Sequence, residues 1–99
     1  MYSTYILYSY STDRFYKGST NNIRIRLNRH NAGSEKATSK GKPWKLIWTI
    51  IKETRSDAYN LELKLKNLSR KRMLKFCLKY NEGIPGDDEL KLILQLSSC

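Results

Sequence analysis

Tyr5-Ile6-Leu7-Tyr8-Ser9-Tyr10, Ser11-Thr12-Asp13-Arg14 and Phe15-Tyr16-Lys17-Gly18-Ser19 follow one another near the start of the chain. Two runs rich in aromatic and β-branched residues flank a short polar segment with turn chemistry, the pattern of a β-hairpin. Side chains alternate across a strand, so Tyr5, Leu7 and Ser9 belong on one face and Ile6, Tyr8 and Tyr10 on the other.

Downstream of the hairpin, Thr20-Asn21-Asn22 offers several N-caps for a helix over Ile23 to Asn31, with Ile23 and Leu27 four apart and Arg26 and His30 four apart on another side. Ala32 to Pro43 holds Gly33, Gly41 and scattered polar residues, the composition of a surface loop. Trp44 to Ile51 has the bulky, β-branched content of a central strand. Ser56 is the expected N-cap of a second helix, in which Ala58, Leu61, Leu65 and Leu68 form an apolar stripe with Glu62 beside it. Ser69 is placed to cap a third helix, with Met73, Phe76, Cys77 and Tyr80 inward and Arg70, Lys71, Arg72, Lys75 and Lys79 outward. Gly83, Pro85 and Gly86 break the chain. The apolar tail Leu90 to Leu96 fits a short helix or a strand, and its periodicity does not decide between them. The order is β-β-α-β-α-α, an α/β fold with a three-stranded, mainly antiparallel sheet flanked by helices. Residues 1–83 form the expected domain and residues 84–99 a tail.

At 99 residues the chain can bury one modest core. Nineteen Lys and Arg against nine Asp and Glu give a formal charge of +10, an excess that repels itself unless a polyanion relieves it; nucleic acid is the simplest such partner. The charge is uneven: after Tyr80, Lys91 stands alone against Glu82, Asp87, Asp88 and Glu89, so the binding surface is expected in the first eighty residues. Two cysteines, Cys77 and Cys99, indicate neither a disulfide framework nor a Cys-rich zinc site, and fit a reducing cytoplasm. The N-terminus lacks the basic start and apolar run of a signal peptide, and no apolar stretch approaches the ~20 residues of a membrane span.

Tyr5, then Tyr16-Lys17-Gly18, Arg26, His30 and a later helical Glu62 together resemble the GIY-YIG nuclease family. The spacing carries the resemblance. More narrowly, Phe15-Tyr16-Lys17-Gly18-Ser19-Thr20, the Arg26-to-Asn31 stretch and Lys42-Pro43-Trp44-Lys45-Leu46 look like the short stand-alone bacterial members, related to the amino-terminal module of the excision-repair incision subunit. Ser3-Thr4-Tyr5 stands where Gly-Ile-Tyr names the motif, and Tyr16-Lys17-Gly18 where Tyr-Ile-Gly does.

The resemblance implies the GIY-YIG fold and metal-dependent endonuclease activity on DNA, with repair, recombination or processing of branched DNA as plausible settings. Glu62 would bind one Mg²⁺ or Mn²⁺ ion, a hard dication that prefers oxygen ligands; the plain reading is a surface glutamate paired with Lys66 at i+4. Arg26 would lie against the scissile phosphate with its planar fork. Tyr5 is the implied general base, a role that needs nearby positive charge because a phenol's ordinary pKa is about 10. Tyr16 would orient water or phosphate, and His30 would accept a proton or donate to a phosphate. Tyr8 and Tyr10 are read as core residues with satisfied hydroxyls. Gly18 would allow close approach of phosphate or helix. Lys17, Arg29, Lys40, Arg70, Lys71 and Arg72 are candidate DNA contacts that grip the backbone without reading sequence. Two rival readings remain: a non-catalytic nucleic-acid-binding module of the same fold, and a protein-interaction adapter using the apolar tail. The oligomeric expectation is a monomer or weak dimer.

Overall fold

A computed structural model describes residues 1–98; Cys99 lies outside the described residues. The strands are β1 (Tyr2–Ser9), β2 (Arg14–Thr20) and β3 (Trp44–Lys52), and the helices α1 (Ile23–Asn31), α2 (Arg55–Lys66), α3 (Arg70–Lys79) and α4 (Asp87–Ser97), with short 3-10 turns at Lys36–Thr38 and Asn81–Gly83. The sheet runs β2-β1-β3, and β1 is antiparallel to both neighbours. The central strand is therefore β1, and β3, whose bulky content suggested a central place, is an edge strand buried by the helices packed on it. The expected α/β fold with a three-stranded sheet is the observed one, and it is antiparallel throughout.

The hairpin closes through Asp13, whose φ of 53° lies in the left-handed region that Asp tolerates better than bulky residues. Its carboxylate accepts hydrogen bonds from the Tyr8 hydroxyl at 2.7 Å and from Arg70 at 3.0 and 2.9 Å, tying the turn to α3. Tyr8 is a core residue as expected. Tyr10 is not: it stands 62% exposed, edge-on to the Tyr8 ring, because it lies beyond the end of β1 where nothing covers it.

The sheet separates two cores. On one face Ile6, Tyr8, Ile47 and Trp48 meet Leu65 of α2, Met73, Leu74 and Cys77 of α3, and Leu92 and Ile93 of α4. On the other, Tyr5, Leu7 and Trp44 pack with Tyr16, Leu46 and the α1 residues Ile23 and Leu27. A register shift in β3 opposite Ile6 and Leu7 lets the successive residues Ile47 and Trp48 both feed the first core, as a bulge does.

Helix starts follow local chemistry. The Asn22 side chain accepts from the Ile25 amide at 3.1 Å, and Ser69 Oγ accepts from the Arg72 amide at 3.3 Å. The cap of α2 is Thr54, not Ser56: Thr54 Oγ1 accepts from the Asp57 amide, and Ser56 already lies inside the helix. The inward set of α3 includes Leu74, while Tyr80 is 37% exposed at the helix end. The tail is a helix, begun by Asp87, Asp88 and Glu89 in its first turn, where negative charge meets the positive end of the helix dipole. Glu89 also pairs with Lys45 of β3 at 2.8 Å. Among the described residues no helix is long and apolar enough to cross a membrane.

Candidate active site

Register places the site. Tyr5 of the central strand lies directly opposite Gly18, and Leu7 opposite Tyr16, so Tyr5, Tyr16 and the bare α-carbon of Gly18 share the face that α1 covers. A methyl group on Gly18 would stand 2.6 Å from the Tyr5 hydroxyl oxygen and 3.1 Å from the Tyr16 ring. Gly18 therefore serves the packing of two tyrosines; it is buried, and the Tyr5 hydroxyl fills the space above it.

His30 completes this cluster from the last turn of α1. Its ring centre lies 5.9 Å from that of Tyr5 and 4.9 Å from that of Tyr16, and the Tyr5 hydroxyl is 2.9 Å from Nε2. On its other side Nδ1 is 2.8 Å from Thr38 Oγ1, whose hydroxyl donates to the Glu35 carbonyl. In the tautomer with its proton on Nδ1, Oγ1 accepts from Nδ1–H and Nε2 accepts from Tyr5; Arg26 favours this assignment, because it donates to the Tyr5 oxygen and leaves the phenolic proton for Nε2. Burial lowers the His30 pKa below its ordinary value, with Arg26 and Arg29 adding to that and Glu35 opposing it. The neutral imidazole is thus a poised acceptor. His30 is fully buried with both nitrogens engaged, so it offers no free N–H to a phosphate.

Arg26, one helical turn earlier, points its guanidinium toward Tyr5. Burial pushes the Tyr5 phenol far above its ordinary pKa and Tyr16 adds to that; the charge and hydrogen bond of Arg26 pull the other way, and Glu62 raises it further. Positive charge is near Tyr5, as expected, but desolvation outweighs it.

Glu62 approaches from the other face of the sheet. Its helix, α2, packs on the opposite side of the sheet, with Leu61 and Leu65 in the larger core, and the carboxylate reaches the edge strand β2. There Oε1 accepts from Ser19 Oγ at 2.7 Å, and Oε2 is held by Lys66 Nζ at 2.7 Å. The i,i+4 pair read from the sequence is present. Ser19 points to the α2 face because it neighbours Gly18 in the strand, so Glu62 and Tyr5 flank β2 from its two sides and meet electrostatically across it.

The remaining candidate contacts are dispersed. Lys17 is half-buried on the α2 side, its pKa lowered by burial and by Lys66. Arg29 pairs with Glu35 at 3.3 Å, and Arg70 with Asp13. Lys40, Lys71 and Arg72 are exposed. Among the described residues no three His, Cys, Asp or Glu side chains cluster as a metal cage.

A polar cleft of about 220 Å³ opens beside Arg26, lined also by Tyr2, Ser19, Thr20, Asn21 and Arg55. A larger hollow of about 530 Å³ lies elsewhere, between Asp13, Arg70 and Leu96, and touches none of the clustered tyrosines. Sequence reasoning missed Thr38, Ser19 and Arg55. Ser19 was within reach of strand alternation, since it must face α2. Thr38 sat in a stretch read as surface loop, and no local pattern marks it.

The solved structures include a UPF0213 protein from Bacillus halodurans, determined by solution NMR, with 29% identity, a TM-score of 0.50 and coverage of 86% of this chain and 89% of that one. No curated protein matches the chain. The family model for the GIY-YIG catalytic domain matches residues 1–81, a span that contains the paired tyrosines, Gly18, Arg26, His30 and Glu62. By that match the chain belongs to the GIY-YIG catalytic-domain family.

Proposed function

We propose that the protein is a metal-dependent endonuclease that hydrolyses DNA phosphodiester bonds, with residues 1–83 as the catalytic unit and α4 packed on it. One observation carries the reading: the Tyr5 hydroxyl lies between the Arg26 guanidinium and Nε2 of buried His30, with the Glu62 carboxylate across a single strand. Arg26, always charged, neutralises non-bridging phosphate oxygens with its planar fork. Tyr5, neutral in the free protein, takes a proton from the attacking water as it passes its own to His30, so no free phenolate is needed at neutral pH. Thr38 holds the imidazole in the tautomer this transfer requires. Tyr16, packed on both rings, fixes their planes.

The donor set at Glu62 fits a hard dication that keeps most of its waters and takes the rest of its shell from phosphate. Glu62 is the residue that would hold Mg²⁺ or Mn²⁺, which when bound supplies neutralising charge for the phosphate and leaving oxygens. Lys66 must swing off Oε2 to free that position, and its ammonium is half-exposed on a flexible stem. So small a domain leaves little surface for base readout, which favours structure-selective or weakly specific cutting of the kind DNA repair and recombination use.

Nicking of supercoiled plasmid with Mg²⁺ and with Mn²⁺ tests the reading. Glu62→Ala and Arg26→Ala should each lower the rate by about 10² to 10³, the range for losing one electrostatic group at a transition state. Unchanged cleavage in both would expose a contaminant or a misassigned site. The Glu62–Lys66 ion pair favours one second reading, a non-catalytic DNA-binding module, for which the wild-type protein would bind the plasmid and leave it intact.

A further inference from the structure

The cleft beside Arg26 has a second arginine in its wall. We propose that Arg55, the first residue of α2, binds a backbone phosphate next to the one being cut, so that Arg26 and Arg55 hold one DNA strand across the cleft. The inference rests on the nuclease reading and names a substrate contact that reading does not supply.

Position is the first support. Of the residues lining the cleft, Arg26 is the one beside the Tyr5 hydroxyl and Ser19 the one bonded to Glu62. The cleft is therefore the mouth of the proposed site, and Arg55 stands on its rim. Charge is the second. Among the described residues no acidic side chain lines the cleft, and Tyr2, Thr20 and Asn21 complete it with groups able to hydrogen-bond an anion.

Pairing is the third. Arg29 and Arg70 are tied to carboxylates, whereas Arg14, Arg24, Arg26, Arg55 and Arg72 take part in no ion pair among the described residues, and of these Arg26 and Arg55 are the ones that line the cleft. Glu53 and Asp57 flank Arg55 at two residues on either side, yet they do not pair with it. Two arginines left facing one polar hollow repel each other at a cost that an anion between them removes. A guanidinium offers bidentate geometry to phosphate, and a nucleotide strand supplies phosphates in series, so one reaction-centre arginine and one flanking arginine fit a single strand.

The test compares Arg55→Ala, Arg55→Lys, Lys91→Ala and Glu62→Ala, using a fluorescently labelled DNA duplex for binding and plasmid nicking for turnover. Lys91 lies exposed on α4 and controls for loss of one positive charge. Arg55→Ala should weaken binding about tenfold, as loss of a charge-assisted contact does, and should reduce the slope of log K against log salt by about 0.9. KM should rise while kcat stays within about threefold, the pattern of lost uniform binding. Arg55→Lys should restore the salt slope but only part of the affinity. A salt slope and KM for Arg55→Ala that match those of Lys91→Ala would overturn the proposal, even if Glu62→Ala abolishes nicking as the nuclease reading requires. Wild-type nicking by Glu62→Ala would instead remove the reading itself, whatever Arg55 does.

Discussion

The two faces of the sheet are built on different principles. The face under α2, α3 and α4 is a broad apolar core in which Trp48, Leu65, Met73 and Ile93 are wholly or almost wholly buried. The face under α1 is smaller, and its centre is a hydrogen-bonded chain from Tyr5 through His30 to Thr38. β1 serves both, sending Ile6 and Tyr8 one way and Tyr5 and Leu7 the other. The bulk of the apolar packing thus lies on one side of β1 and the Tyr5–His30–Thr38 chain on the other, with Glu62 the polar exception that reaches β2 from the apolar side. No buried side-chain polar atom among the described residues lacks a hydrogen-bond partner, so the polar side is fully satisfied rather than merely tolerated.

The sharpest way to break this comparison is to empty the apolar face. Trp48→Ala should cost about 3–5 kcal/mol, the range for deleting a buried aromatic, because the indole is fully buried, stacks edge-on with Phe76 at 5.4 Å and donates to the Tyr80 carbonyl at 2.9 Å. Against a typical total of about 5–15 kcal/mol, much of the fold's margin would go. Urea denaturation measures it. A loss below about 1 kcal/mol would mean that the large core is not what holds the molecule together.

A smaller effect is expected from crowding the polar face. In Gly18→Ala the new methyl meets the Tyr5 hydroxyl and ring at 2.6 and 2.7 Å, and Tyr5, fully buried, cannot swing aside. Strain of about 1–3 kcal/mol follows, and the hydroxyl is driven off His30. Denaturation should register the strain and plasmid nicking a loss of activity. Full activity with wild-type stability would show that the Tyr5–His30 contact is incidental.

The apolar side could be read from the sequence in most respects, because its signals are local: alternation in β1, and the three- and four-residue spacing of Leu61, Leu65 and Leu68. The tail was ambiguous on apolar spacing alone, yet Asp87, Asp88 and Glu89 ahead of it were a helix-start signal of the right sign. The polar side was readable only in part. Family spacing grouped Tyr5, Tyr16, Arg26 and His30, which lie near one another because they sit on adjacent strands and one helix. It did not reveal that Glu62 reaches the strand edge from the far side of the sheet, nor that Thr38 turns inward. Both depend on contacts between segments far apart in the chain, to which local periodicity is blind.

The subtlest difference between the faces is in their response to acid. Tyr8 and Cys77, the titratable groups of the large core, are both shifted upward by burial, the thiol to about 12, so they stay neutral as pH falls from 7. His30 is the chain's one histidine, and burial lowers its pKa in the folded state. Once unfolded, it takes a proton near its ordinary value of about 6.5. Between that value and the lower folded one, the unfolded chain binds more protons than the folded chain, so stability falls as pH drops through the window and is fully present above it. The urea midpoint of the wild type should therefore decline from pH 7 to pH 5.5. His30→Gln, which keeps an amide donor and acceptor but does not titrate, should start less stable and decline more gently over the same range. If the two curves run parallel, the imidazole is not held neutral by burial, and the bare Nε2 assigned to accept the proton of Tyr5 loses its physical basis.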